Sequence, residues 1–456
     1  MLSLRTTTHR GFGTVTISWA RMGIVVLAVA YAVALLWVHE RIIAPSFSYL
    51  GAVYIPPVSN SLLPIGYAFA IFPSVFLQNR ATRPSAVFHW ILYVLLYVPC
   101  ILLPVISTGL GAEDLVPIQF SLFVGFMLLL AVGHLPLVQI PTLKMPVWLF
   151  WCIVLGVSIA CYLLIFRQYG FRLSMPSIGS AYDLRDEYRA ETESGGALAQ
   201  YALHWQSKIL NPLIIGYGLI KRNPLIVAFG FLGQLVIYSI SGLRAVLFSI
   251  GILIAIIWCF RDNARSFGLN MIVGSVGLVV TCITVDTLMH SISMSSMFVR
   301  RLILAPGLLM GQYYEFFSQN PFVYLSNSVL SPFFDYPYDS SYGFLVGEFI
   351  SGRPDAFFNA GLWPDGYAQF GLAGIVIVSA LLGAVLWVLD SLALDKDKLL
   401  IAASGGLAAW SLVNSGLFTA LLTHGILLFM VLVYLMPRSV ATRVHRRDVV
   451  RRWIRN

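Results

Sequence analysis

Ile17–Val38 reads ISWARMGIVVLAVAYAVALLWV, an apolar run whose one charge, Arg21, stands near its start. About 20 apolar residues in helical form cross the hydrocarbon of a bilayer. Arg5 and Arg10 precede the run, as in a secretory signal, and Ala28-Val29-Ala30 and Ala32-Val33-Ala34 are small-residue sites of the kind a signal peptidase cuts. Those sites fall inside the run, and Leu35, Leu36, Trp37 and Val38 continue it to spanning length, so it is read as an uncleaved first transmembrane helix. The same texture recurs along the chain and fixes the class as an all-α polytopic membrane protein.

Of the 456 residues 58% are hydrophobic and 11% charged, too few polar groups to cover a water-soluble surface. Reading apolar runs against bilayer thickness predicts about twelve spans, near 17–38, 62–77, 86–107, 115–133, 146–166, 197–220, 224–240, 245–260, 269–289, 371–389, 399–416 and 418–436. The pair 224–240 and 245–260 reads either as two tilted spans or as a re-entrant hairpin. With both termini cytoplasmic, 19 of the 29 Lys and Arg fall in short inside segments, including the basic tail 437–456, which satisfies the positive-inside rule. The net charge of +9 is then a topology signal directed at anionic membrane lipids, and no nucleic-acid partner is implied. The chain reads as one domain over 1–456, with no internal repeat. Its five cysteines all lie in apolar runs and read as small buried hydrophobes, with neither a disulfide framework nor a zinc site.

This orientation puts two long loops on one outer face, about 167–197 and about 290–370. Ordering a long segment costs about 1–2 kcal/mol per residue, so loops this long and this rich in apolar anchors are expected to be folded and functional. In the first, Arg185 and Arg189 share a helix face, a spacing that suits either a phosphate grip or ordinary pairing with Asp183, Asp186, Glu187 and Glu191. Arg244 stands in a very short turn between apolar runs, where it either serves a cavity or snorkels to head groups. In the second loop Arg300 and Arg301 lead an apolar, aromatic segment expected to lie in the membrane interface; Glu348, Arg353 and Asp365 follow. Asp365 sits in the Gly- and Pro-punctuated turn Asn359–Tyr367, where a carboxylate can cap the next helix or act as a base. His204, Lys208, Asp286, His290, Asn414 and His424 add polar groups toward the same face, each alone more often a satisfied interhelical contact. Nucleotide-binding, zinc-protease and hydrolase-elbow motifs are absent from the sequence.

RRLILAPGLLMGQYYEFFSQNP from Arg300, SYGFLVGEFI from Ser341 and NAGLWPDGYAQFGLAG from Asn359 resemble the late periplasmic loop of the Wzy-type O-antigen polymerases, bacterial oligosaccharide repeat-unit polymerases. The similarity in sequence covers about a fifth of the chain; in architecture it covers the whole. The resemblance implies a GT-C-like bundle in the bacterial inner membrane. It also implies transfer of a growing glycan from undecaprenyl diphosphate to the next lipid-linked unit, with no nucleotide sugar, no cofactor and no obligatory metal, and a chain-length regulator as a further partner. Some members carry an arginine followed eleven positions later by glycine in each loop, a spacing met by Arg185 with Gly196 and Arg300 with Gly311. On this reading Arg185, Arg189, Arg244, Arg300, Arg301 and Arg353 are the diphosphate candidates, and Glu348, Asp365 and His290 the candidate bases. O-antigen ligase and lipid-linked oligosaccharide flippase are the alternatives.

Overall fold

The computed structural model describes residues 19–141, 143–171, 196–260, 266–327 and 333–438, the side chain of Arg244 excepted. Among the described residues there is helix and connecting turn but no strand. In chain order the helices are α1 (Trp19–Leu50), α2 (Leu62–Val75), α3 (Ser85–Ser107), α4 (Ala112–Val132), α5 (Val147–Tyr169), α6 (197–221), α7 (Pro224–Ser241) and α8 (Arg244–Cys259), followed by α9 (Phe267–Leu288), α10 (295–317), α11 (Tyr342–Ser351), α12 (Leu362–Leu392), α13 (Lys398–Ser411) and α14 (Leu417–Leu435). Eight of them, α1, α3, α4, α5, α7, α9, α12 and α14, are long and apolar enough to cross a membrane. The chain is a multi-pass helical membrane protein.

α3 is the central helix, with 94% of its apolar window buried. Its Tyr97 stacks on Phe126 of α4 at 4.4 Å, and Trp363 of α12 meets both rings edge-on at 5.8 and 5.9 Å. Offset and edge-on rings are each worth about 0.5–1.5 kcal/mol beyond their buried area. α10 lies against α3 through glycine: a Cβ at Gly307 would stand 2.4 Å from Pro99 Cβ, and one at Gly311 2.7 Å from Thr108 Cγ2. Without a hydrophobic drive between helices in lipid, such close backbone approach is what holds them together.

Several charged residues of the bundle serve helix ends. Asp390 accepts from Ser85 N (2.9 Å) and Ser85 Oγ (2.6 Å) at the start of α3. Asp286 accepts from Met294 N (2.9 Å) and Ser295 N (2.7 Å) where α10 begins. At helix C-termini, Arg83 donates to Gly133 O (2.7 Å) and Leu135 O (2.9 Å) beyond α4, and Lys396 donates to Tyr434 O and Met436 O at the end of α14. Anions at N-termini and cations at C-termini satisfy orphan backbone groups and oppose the helix dipole.

Two sequence expectations are revised. Asn359–Tyr367, expected as a turn, is mostly helix: α12 opens with a buried arm, 362–369, that breaks at Phe370 and Gly371 (φ +60°) and folds back along the span. Trp363 Nε1 donates to Ser379 Oγ at 2.9 Å, which is possible only if the arm reverses. Backbone that reverses inside a bundle is tolerated where protein covers it. The segment from Arg300 forms most of helix α10, which Gly307 and Gly311 let seat on α3. Cys152 is exposed, since α5 is a peripheral helix with only 28% of its window buried; the other four cysteines are buried.

Candidate functional site

A cavity of about 650 Å³ opens where α6, α8, α13, α14 and the segment between α11 and α12 meet. Lys208, His204, Asn414, Ser415 and His424 supply its polar wall, and Phe344, Phe357, Leu407 and Trp410 much of its apolar wall. The space suits a ligand with a polar head on an apolar body.

Lys208 projects from a π-helical turn, Gln206–Leu210, that interrupts α6. Such turns add one residue, loosen the backbone ladder, and recur at functional sites. The loosened ladder is held by a buried polar network. Gln206 Nε2 donates to Ser158 Oγ (2.8 Å) and Asn211 Oδ1 (2.6 Å), and Asn211 Nδ2 donates to Gln234 Oε1 (3.2 Å). Gln234 Nε2 in turn donates to the Ser207 carbonyl (2.8 Å) and Ser249 Oγ (2.9 Å), both beside the cavity. These bonds join α5, α6, α7 and α8 and fix the residues on either side of Lys208.

Four residues before Lys208 on α6, His204 meets His424, the two rings 4.8 Å apart and nearly edge to face. His204 Nδ1 is buried with no hydrogen-bond partner among the described residues. His424 Nδ1 is 2.9 Å from Ser415 Oγ.

A second cavity, of about 280 Å³, is lined by Asp365, Gln369, Asn327 and Tyr201, and shares Thr419 and Thr423 with the first. Asp365 Oδ1 accepts from Tyr342 Oη at 2.6 Å and from Gln369 Nε2 at 3.5 Å. Gln369 also donates to Asn327 Oδ1 (3.3 Å) and accepts from Leu325 N (2.7 Å). Burial first, then the charge on Asp365, hold the Tyr342 phenol well above its ordinary pKa, so it stays a donor to the carboxylate.

The sequence candidates divide around this site. Arg244 is the first residue of α8, between Leu243 and Ala245, which both line the larger cavity. Asp365 lines the smaller one. Glu348 is exposed on α11, and His290 is exposed just past α9 in the left-handed region (φ +47°). Arg353 is exposed and paired with Asp355 at 2.7 Å. The Arg300 guanidinium lies 4.2 Å from the centre of the Phe47 ring, and Arg301 is exposed; neither lines a described cavity. Arg185 and Arg189 lie outside the described residues. Of the polar groups read as interhelical contacts, Asp286 is a helix cap, whereas His204, Lys208, Asn414 and His424 converge on the cavity. Their sequence signal is a shared placement near span ends; spacing links only His204 and Lys208, four apart on α6, because Asn414 comes from the turn between α13 and α14 and His424 from α14. Among the described residues no group of three or more His, Cys, Asp or Glu is placed to hold a metal ion. Comparison with protein-family models, curated proteins and solved structures finds no match to this chain.

Proposed function

We propose that the chain is a polymerase of lipid-linked oligosaccharide repeat units, of the Wzy kind, that transfers glycan from undecaprenyl diphosphate to the next lipid-linked unit. The observation that carries the reading is the pair of adjoining cavities. One combines a lysine, two histidines and apolar walls; the other presents a carboxylate and two amides at the shared Thr419–Thr423 edge. A glycosyl diphosphate on a lipid suits the first, because positive charge stabilises the leaving diphosphate and apolar walls take the first isoprene units. Lys208, with the amides at the start of α8, is the group on the cavity wall for that charge, and Arg244, in sequence between the wall residues Leu243 and Ala245, is the arginine candidate. A sugar offers the hydroxyls that Asp365, Gln369 and Asn327 can bind in the second.

The reading takes the bundle as GT-C-like, with about twelve spans, both termini cytoplasmic and the 167–197 and 290–370 segments in the periplasm of a bacterial inner membrane. Phe344, Phe357 and Asn359 bring the second of those segments to the cavity wall, where a donor in the outer leaflet would enter. A deletion strain tests the function. One repeat unit on the lipid core is the expected surface glycan; a core without glycan points to a ligase or flippase, and glycan of unchanged length rules out all three.

A further inference from the structure

Resting on the polymerase reading, we propose that His424 is the catalytic base that takes the proton of the acceptor hydroxyl, in a tautomer fixed by Ser415. The argument is one of proton counting. Ser415 Oγ is 2.6 Å from the Ser411 carbonyl and 2.9 Å from His424 Nδ1. A carbonyl oxygen only accepts, so the single hydroxyl proton of Ser415 is committed to Ser411. The contact with His424 therefore needs the proton on the imidazole: Nδ1–H donates and Ser415 Oγ accepts. A neutral ring has one N–H, which leaves Nε2 as an unprotonated acceptor.

That nitrogen has no hydrogen bond among the described residues, and the ring lines the larger cavity. Thr423, the preceding residue, belongs to both cavities, so His424 stands at the junction where donor and acceptor sugars would meet. His204, which lines the same cavity, packs edge-on against the ring at 4.8 Å. The other carboxyl and imidazole candidates are less well placed: Glu348 and His290 line neither described cavity, and Asp365 Oδ1 is already accepting from Tyr342.

The step balances as a displacement at the anomeric carbon. The acceptor oxygen forms the new bond to that carbon, the bond to the diphosphate oxygen breaks, and its electron pair leaves with the diphosphate beside Lys208. The hydroxyl proton passes to His424 Nε2, and the imidazolium returns it to water in the cavity before the next cycle.

The test uses the full chain, in the deletion strain and in lipid nanodiscs with undecaprenyl diphosphate as the binding probe. His424→Gln is expected to lower polymer formation on the order of 100-fold while the probe still binds. Ser415→Ala removes the acceptor for Nδ1–H and is expected to lose activity, and Ser415→Thr, which keeps the hydroxyl, to recover it. Normal polymer from His424→Gln overturns the base and leaves the polymerase standing; unaltered glycan in the deletion strain overturns both. Imidazole nitrogen-15 shifts read the tautomer without any activity: a proton on Nδ1 that is lost to Nε2 in Ser415→Ala supports the proposal, and a proton on Nε2 in the unmodified chain overturns it.

Discussion

Gly416 and Asp365 are packed so closely that a Cβ on the glycine would stand 2.1 Å from the aspartate Oδ2. The contact ties the turn between α13 and α14 to the folded-back arm of α12, and beside it Leu362 N donates to Leu412 O at 2.8 Å. Gly416→Ala is expected to cost about 1–3 kcal/mol, as overpacking does, and to lower the yield of monodisperse protein. Gly277→Ala is the control: that glycine sits in α9 with nothing within 4 Å of its would-be Cβ, so alanine should gain about 0.5–1 kcal/mol of helix preference. Equal melting temperatures for the two variants would remove the arm from the determinants of stability.

Lys208 and Arg244 are expected to share the leaving-group charge. Lys208→Met keeps the length of the side chain and should reduce polymer on the order of 100-fold, as loss of one preorganised donor does, with the protein level unchanged. Arg244→Lys keeps charge but loses the planar fork, so a smaller loss and shorter chains are expected. Polymer of normal length from Lys208→Met, in membranes holding normal amounts of protein, would exclude the cavity as the diphosphate site.

Glu315 is half-buried in α10, and desolvation holds its carboxyl above the ordinary pKa. A raised acid pKa means that the folded state disfavours the ionised form. The penalty sets in as pH rises past the pKa of the unfolded carboxyl and is complete above that of the folded one. Glu315→Gln should therefore raise the melting temperature at neutral pH, with the gain shrinking as the buffer is acidified. A gain that grows toward low pH would contradict the sign.

Ser340 is exposed between α10 and α11, and Lys144 lies between α4 and α5. Single cysteines placed there should react with a membrane-impermeant maleimide from opposite sides, Ser340→Cys from the periplasm and Lys144→Cys only once the inner membrane is opened. Labelling of both from one side would refute the orientation.

Hydrophobic runs of bilayer length are legible one residue at a time, which is why each apolar run read from the sequence contains helix in the structure. Helix interruptions are less legible. Nothing in Trp363-Pro364-Asp365-Gly366 says that the arm turns inward; that depends on Ser379, sixteen residues on, and on the room that Gly416 leaves. The site was legible only as a tendency. Arginine carries the strongest expectation of phosphate chemistry in sequence, yet Arg300 and Arg353 have local neighbours, Phe47 and Asp355, and the cavity cation is a lysine from α6. Which side of a helix faces a cavity is a property of packing that no single segment encodes.

The π turn at Gln206–Leu210 bears on how this site tolerates change in length. A π turn is an α-helix carrying one surplus residue. Deleting any one of the five would restore a regular ladder and spare every side chain named on the cavity wall except, where chosen, Ser207 or Lys208. Because the turn already absorbs the surplus residue, the helix on either side would keep its facing, and Gln200 and His204 would stay on the cavity wall. Inserting one more residue into a regular part of α6 between His204 and the turn would instead rotate everything upstream by about 100° about the helix axis and carry Gln200 and His204 away from the cavity.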